Sequence, residues 1–255
     1  MKKTECKIGI SDAQITEILD LCEIDPILET FQKQFIAIGG TKEEVEQEFC
    51  VVKDLIESDL LARLSKDPAV HNDTAFVMRD IAFQSLILYR ISHALWSPQY
   101  VQYEKTEAHN ARLTSLDLHN YAKKFHIELH PGMCAGRGLY LDHALSTKIQ
   151  NGVRIGQNCG LLDGILIGDV LSILIGEQTY VGDHVTIERE VVCGATIKRN
   201  PHILEVERMR GRRHPRIEDN CFISRGAKLL GPITIAANSF VPIGAIVIND
   251  FPLCK

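Results

Sequence analysis

Hydrophobic positions in the first half of the chain recur at intervals of three and four, the spacing of amphipathic helices. Ile15, Ile18, Leu19 and Cys22 make one such stripe, and Val45, Phe49, Val52, Leu55 and Ile56 make another. Ser11 before Asp12 predicts an N-cap, Gly39-Gly40-Thr41 a break followed by a new start, and Asp67-Pro68 a cap with proline at the first helical position. From Phe76 to Trp96 the pattern is longer and more apolar, as for a helix packed on several sides, and Pro98 ends it. Residues 1–125 are therefore expected to form an all-α domain.

Beyond Phe125 the period becomes six. Ile149, Ile155, Leu161, Ile167 and Ile173 keep one phase, and Ile175, Val181 and Ile187 a second, which Ile217, Ile223, Leu229, Ile235, Val241 and Val247 resume. Several are followed at once by a small residue, as in Ile155-Gly156 and Val181-Gly182. In a three-sided β-solenoid each face takes six residues, one aliphatic side chain points inward and the next residue must be small at the corner. Strands of an ordinary sheet would alternate by two instead. Residues 126–255 are expected to form this solenoid. The phase slips by two between Leu141 and Ile149 and again between Ile173 and Ile175. The segment of about 196–213 has no repeat, which predicts an extruded loop.

Composition narrows the function classes. The net charge of −5, with one short basic cluster from Arg208 to Arg216, argues against a nucleic-acid partner. No secretory signal and no apolar run of membrane-spanning length is present, so no membrane association and a cytoplasmic location are expected. The eight cysteines are scattered without CxxC pairs and read as reduced, structural thiols.

Three histidine settings stand out: Leu141-Asp142-His143-Ala144 at a solenoid corner, Arg212-Arg213-His214-Pro215 where the loop rejoins the coils, and Ile127-Glu128-Leu129-His130-Pro131 at the solenoid's start. An imidazole at a corner beside a carboxylate has no packing role and suits proton transfer. His130 reads as a structural corner residue, and Arg90 and His93 as helix-packing residues.

On these residues the chain resembles the serine O-acetyltransferases, a family of hexapeptide-repeat acyltransferases. IELHP, GRGLYLDHA and RHPRI are similar to the family's "DIHP", "GRGIMLDHA" and "RHPKI". Upstream, KDPAV and LYRISHALW are similar to "RDPAV" and "AYRIGHWLW", and downstream RGAKLLGPI is similar to "GAGAKILGNI". The motifs run in the same order over roughly residues 60 to 250.

The resemblance implies an α+β fold, an N-terminal all-α domain followed by a left-handed parallel β-helix. It implies transfer of acetyl from acetyl-CoA to L-serine, giving O-acetylserine for cysteine biosynthesis, with no metal. His143 corresponds to the general base and Glu128 to the carboxylate that orients it. Asp67 and Asp142 match residues that grip the serine ammonium and hydroxyl. Arg213 and His214 match substrate-site residues, the arginine suited to the serine carboxylate. Gly226, Ala227 and Lys228 match the stretch along which the pantetheine arm of CoA lies. A homotrimer with sites between neighbouring solenoids, or a dimer of trimers, is the implied assembly.

Against that pattern the chain is longer by about 26 residues between the LDHA and VCGAT stretches, read as one added coil plus a slip. Stacked strands lie about 4.7 to 4.9 Å apart, so an added coil separates His143 from His214 unless the loop reaches back. Cys193-Gly194-Ala195-Thr196 stands where the family has Gly-Gly-Thr-Gly. The family's last coil and its isoleucine-ended tail have no counterpart after Val247, so a stable complex with O-acetylserine sulfhydrylase is not expected.

Three alternatives stay open: a paralogue with little serine activity acting as scaffold or regulatory subunit, an acetyltransferase for another small hydroxylated acceptor, and a zinc hydratase drawing ligands from His126, His130, His143, His184, His202 and His214.

Overall fold

The structure is a computed structural model that describes residues 11–21, 23–37, 42–67, 69–96, 105–162, 164, 166–167, 179–195 and 211–252. Six described helices come first: α1 (Asp12–Leu19), α2 (Ile24–Ala37), α3 (Lys42–Lys66), α4 (Thr74–Arg79), α5 (Ile81–Trp96) and α6 (Lys105–Lys123). Ser11 caps α1 as expected, its hydroxyl accepting from the Gln14 N–H at 3.4 Å while Gln14 Oε1 takes the Ser11 N–H at 2.9 Å.

Two boundaries differ from the sequence reading. Asp67 closes α3 rather than opening a helix, and it is Asp73 that caps α4, accepting from Phe76 N at 3.0 Å. The apolar run from Phe76 to Trp96 is two helices. Asp80 stands between them with extended backbone, and its carboxylate accepts from Ala82 N at 3.0 Å, which starts α5. An aspartate that can bond a free N–H two residues on competes with helix continuation, and here it wins. Gly39-Gly40-Thr41, Pro68 and Pro98 lie outside the described residues.

The second half is a three-sided coil of short parallel strands. The first turn is β1 (Glu128–Leu129), β2 (Cys134–Ala135) and β3 (Tyr140–Leu141), and the second is β4 (Lys148–Ile149), β5 (Arg154–Ile155) and β6 (Gly160–Leu161). Then follow β7 (Leu166–Ile167), β8 (Tyr180–Val181) and β9 (Thr186–Ile187); β10 (Val192–Gly194), β11 (Arg216–Ile217) and β12 (Phe222–Ile223); β13 (Lys228–Leu230), β14 (Thr234–Ile235) and β15 (Phe240–Val241); and last β16 (Ile246–Val247). Every third strand stacks, giving sheets ordered β1-β4-β7-β10-β13-β16, β14-β11-β8-β5-β2 and β15-β12-β9-β6-β3.

The six-residue aliphatics face the interior: Ile149, Leu161, Val181, Ile187, Ile217, Ile223, Leu229, Ile235 and Val241 are fully buried. A second inward row stands two residues before them and holds small or compact side chains, among them Thr147, Val153, Cys159, Thr179, Val185, Cys221 and Ala227. The small corner residue has a specific cause. A Cβ added at Gly156 would stand 2.2 Å from Asp183 Oδ1, and one at Gly182 the same distance from Asp219 Oδ1. These carboxylates accept the backbone N–H groups of Gln157 and Asp183 at the corner one turn earlier, at 2.8 and 2.9 Å.

β7 pairs with both β4 and β10, so the stack runs in register through the stretch between LDHA and VCGAT. The second slip falls between β7 and β8; Ile173, Ile175 and the rest of 168–178 lie outside the described residues, as do 196–210 of the expected loop.

Helix α3 docks on the first turn through two side chains one helical turn apart. Asp59 accepts from Leu139 N at 2.8 Å, and Arg63 donates to the Leu141 carbonyl. Four residues of helix rise about 6 Å and two residues of strand about 6.6 Å, so the two ladders nearly match. Asp59 is in turn held by Arg90 of α5, bidentate at 2.8 and 3.0 Å, and Arg90 also donates to the Ala135 and Gly136 carbonyls at 2.6 and 2.7 Å. Arg90 is thus a clamp between helices and coil, rather than a residue of helix packing alone.

Candidate functional site

The corner that joins β3 to β4 carries two residues more than the six-residue beat, and the excess bulges outward. Three non-glycine residues there, His143, Ala144 and Ser146, sit in the left-handed region with φ of 54°, 56° and 60°. Such conformations are uncommon outside glycine and mark corners held by their surroundings. The result is an imidazole presented to solvent, His143 being 68% exposed, beside the Asp142 side chain at 22%. His143 Nε2 lies 3.6 Å from Asp142 Oδ1.

Behind this corner sits a guanidinium the sequence reading passed over. Arg63, only 4% exposed, pairs with Asp67 at 3.1 Å, with Asp80 at 2.7 Å and more loosely with Asp142 at 3.7 Å. It also lies over the Tyr140 ring at 5.4 Å from its centre. Burial, followed by the adjacent Asp142, pushes the Tyr140 phenol up, and its hydroxyl hydrogen-bonds Asp142. The structure therefore gathers Asp67, Asp142 and His143 at one place, from positions far apart in sequence, with Arg63 and Asp80 as the additional members. A signal for Arg63 was present: Asp59, Arg63 and Asp67 form an i, i+4 ladder of alternating charge along α3.

Other expected site residues lie elsewhere. Glu128 pairs with Lys148 on the neighbouring strand at 2.9 Å, so its nearest described charge is an ammonium and not the imidazole. His214 is 2% exposed and precedes β11, at the corner between the first and second sheets, whereas His143 is at the corner between the third and first. Seven strands intervene along the coil, roughly 11 Å of axial rise at three strands per turn. Arg213, adjacent, is half-buried. Gly226 has φ of 72° at the corner before β13, Lys228 is exposed, and Ala227 points fully into the coil interior, leaving it only backbone to offer a ligand.

The histidines packed between the helices and the first turn hold backbone groups. His93 Nδ1 meets the Pro131 carbonyl at 2.7 Å, and the Gly132 N–H donates to His130 Nδ1 at 2.9 Å. His119, packed edge-on against His130, is pushed down to about 4, chiefly by burial. Among the described residues no three His, Cys, Asp or Glu side chains gather as metal ligands, and no helix is long and apolar enough to cross a membrane. Of the repeat-half cysteines, Cys159, Cys193 and Cys221 are buried core fillers, while Cys134 is exposed.

No family model matches the chain. A serine acetyltransferase of Staphylococcus xylosus is 31% identical over 199 residues, covering 77% of this chain and 70% of that protein. One of Synechococcus elongatus is 25% identical over 197 residues, and the chain spans 62% of its length. Among solved structures, a serine acetyltransferase of Neisseria gonorrhoeae superposes with a TM-score of 0.56 at 19% identity, over 94% of this chain and 96% of that one, a likeness of fold.

Proposed function

Because the chain belongs to the serine acetyltransferase family, we propose that it transfers the acetyl group of acetyl-CoA to the hydroxyl of L-serine, giving O-acetylserine and CoA. The observation that carries this reading is the outward corner at His143, an exposed imidazole held in a left-handed turn beside Asp142. In the reaction, the serine oxygen attacks the thioester carbonyl carbon and its proton passes to the His143 imidazole. The new C–O bond forms, the C–S bond breaks, and the imidazolium returns the proton to the departing CoA sulfur. A positioned base of this kind contributes about 10² to 10⁴ in rate.

Asp142, the nearest described carboxylate, stabilises the imidazolium, with Glu128 as the second candidate once its Lys148 partner is displaced. Gly226 and the exposed Lys228 offer an open backbone and a cation to the pantetheine arm and phosphates of CoA. The coil winds left-handed, and copies associate as a trimer or a dimer of trimers, an arrangement in which the half-buried Arg213, on a different edge of the prism from His143, would reach that site from a neighbouring copy. The free thiols among the described cysteines suit a reducing compartment, and we place the protein in the cytoplasm. The test is CoA release from acetyl-CoA in the presence of serine, by the protein and its His143→Ala variant. Equal rates would remove His143 as the base.

A further inference from the structure

We propose that the stacked rings of Phe222 and Phe240, with Arg189 and Arg225 on the adjoining corners, form a subsite for the nucleotide end of the acetyl donor. The rings take its base and the guanidiniums its phosphates. The inference rests on the acetyl-transfer reading of the His143 corner and goes further, to the side chains that recognise the part of the donor farthest from the chemistry.

The His143 corner is the first of a row of corners stacked along one edge of the coil. Backbone bonds tie successive members together: the Gly164 N–H donates to the Leu145 carbonyl at 2.8 Å, that of Gly226 to Arg189 at 3.0 Å and that of Gly244 to Arg225 at 2.9 Å. Higher on this edge the path is clear of side chains at two points, since a Cβ added at Gly226 would meet no atom nearer than 3.8 Å and one at Gly244 none within 4 Å. At the stacking distance of about 4.7 to 4.9 Å per turn, Arg189 stands roughly 10 Å and Arg225 roughly 14 Å along the edge from His143. Both are exposed, and neither makes an ion pair among the described residues. Of the carboxylates at the same corner, Glu188 is occupied, its Oε2 accepting the Arg225 N–H at 2.8 Å, and Glu190 faces solvent. An arm whose thioester lies at His143 and which runs up this edge therefore brings its far end to two uncommitted guanidiniums, groups suited to phosphate.

Beside these cations lies an aromatic surface. Phe222 and Phe240 are register partners on β12 and β15, and their rings stack 5.6 Å apart at 13° from parallel. They are 36% and 60% exposed. Phe222 is three residues before Arg225, so ring and guanidinium belong to one strand and the corner it leads into. Along the same outward row Gly160 and Thr186 stand between Tyr140 and Phe222, which sets the aromatic surface level with the cations and away from His143. A large ring left in water is unrewarded in the chain by itself, and a stacked pair offers its open surface to a third planar ring. A nucleotide uses both features at once, its base on the phenyl rings and its phosphates on Arg189 and Arg225.

The probes are adenosine 3′,5′-bisphosphate, the nucleotide half of CoA, and inorganic pyrophosphate, which offers charge without a base. Titration calorimetry follows both with the protein, with Phe222→Leu/Phe240→Leu, with Phe240→Trp and with Arg225→Gln. The protein is expected to bind both probes and to release the bisphosphate to CoA. The leucine pair should weaken the bisphosphate by roughly 10-fold or more, the worth of a lost base stack, and keep pyrophosphate within about twofold. Phe240→Trp should retain the bisphosphate, and Arg225→Gln should weaken both probes. The proposal is overturned if the protein fails to bind either probe, if CoA does not displace the bisphosphate, or if the leucine pair weakens both probes alike, as a general loss of structure would. A leucine pair that binds the bisphosphate as the parent does but separates copies in sedimentation also overturns it, and makes the rings a contact between chains. CoA release in the presence of serine judges the acetyl-transfer reading separately. Bisphosphate binding without turnover keeps the subsite and removes the transfer, whereas turnover with unaltered bisphosphate affinity in the leucine pair does the reverse.

Discussion

Replacing Arg90 by methionine removes the clamp between helices and coil, and the structure sets the size of the effect. Arg90 and Asp59 are 1% and 0% exposed. The variant leaves Asp59 with its backbone donor at Leu139 and strips the Ala135 and Gly136 carbonyls of their guanidinium. Breaking a buried pair by removing one partner costs about 3 to 5 kcal/mol, because the other charge stays buried and uncompensated. At a slope of roughly 2 to 3 kcal/mol per molar urea, that is a midpoint shift of about 1 to 2.5 M. Trp96, the chain's one tryptophan, packs edge-on against His130 of the first turn, with ring centres 5.4 Å apart, so its fluorescence reads this junction directly.

The pH dependence supplies a sign. Burial raises the Asp59 carboxyl and Arg90 pulls it back down; without Arg90 it rises further. A carboxyl raised in the folded state favours folding while protonated, and that contribution is lost as pH climbs through the folded value. The deficit of Arg90→Met should therefore be largest near neutrality and shrink toward acid. Asp59→Leu/Arg90→Met, with both charges gone, should recover most of the loss. A deficit below 1 kcal/mol, or a double variant as unstable as the two singles combined, would refute the clamp.

Two further outcomes follow from buried groups. Cys159 and Cys193 are pushed up to about 11 and about 12 by burial, so in a thiol titration Cys50 and Cys134 should react promptly and these two only on unfolding. His119, at about 4 when folded and near 6.5 when unfolded, binds its proton more tightly in the unfolded chain. Stability from this group is present above pH 6.5 and falls by about 2 to 3 kcal/mol as pH drops toward 4; its ring signals in NMR should stay neutral between pH 7 and 5.

The coil was legible because its cause is periodic: one inward aliphatic per six residues survives in the sequence whatever the stacking partners are. The second inward row was hidden, since Thr147, Cys159, Thr179 and Ala227 share size and not chemistry. The break at Asp80 was hidden for the opposite reason, an apolar pattern that continues through a residue whose side chain ends the helix. Asp67, Asp142 and His143 were readable from local motifs. The role of Arg63 was not, because it comes from the approach of α3 to β3: its i, i+4 spacing with Asp59 and Asp67 marks a charged helix stripe, but the strand carbonyl that accepts its N–H is supplied only by the fold.

The same geometry separates the two histidines that the motifs placed in one site. His143 is exposed at one edge of the prism, while His214 is buried at another, about seven strands further along. An imidazole sealed inside its own chain can hold a corner in place but cannot take a proton from a substrate in the solvent. His143→Ala should then lower kcat by about 10² to 10⁴ with little change in melting temperature. His214→Ala should lower the melting temperature, by the few degrees that 1 to 3 kcal/mol of lost buried contacts implies, and reduce kcat by less than tenfold. An alanine at 214 that melts like the parent yet loses as much kcat as the alanine at 143 would mean that a neighbouring copy opens the corner and brings the ring to the acceptor, and that the buried ring of the isolated chain is not its working state.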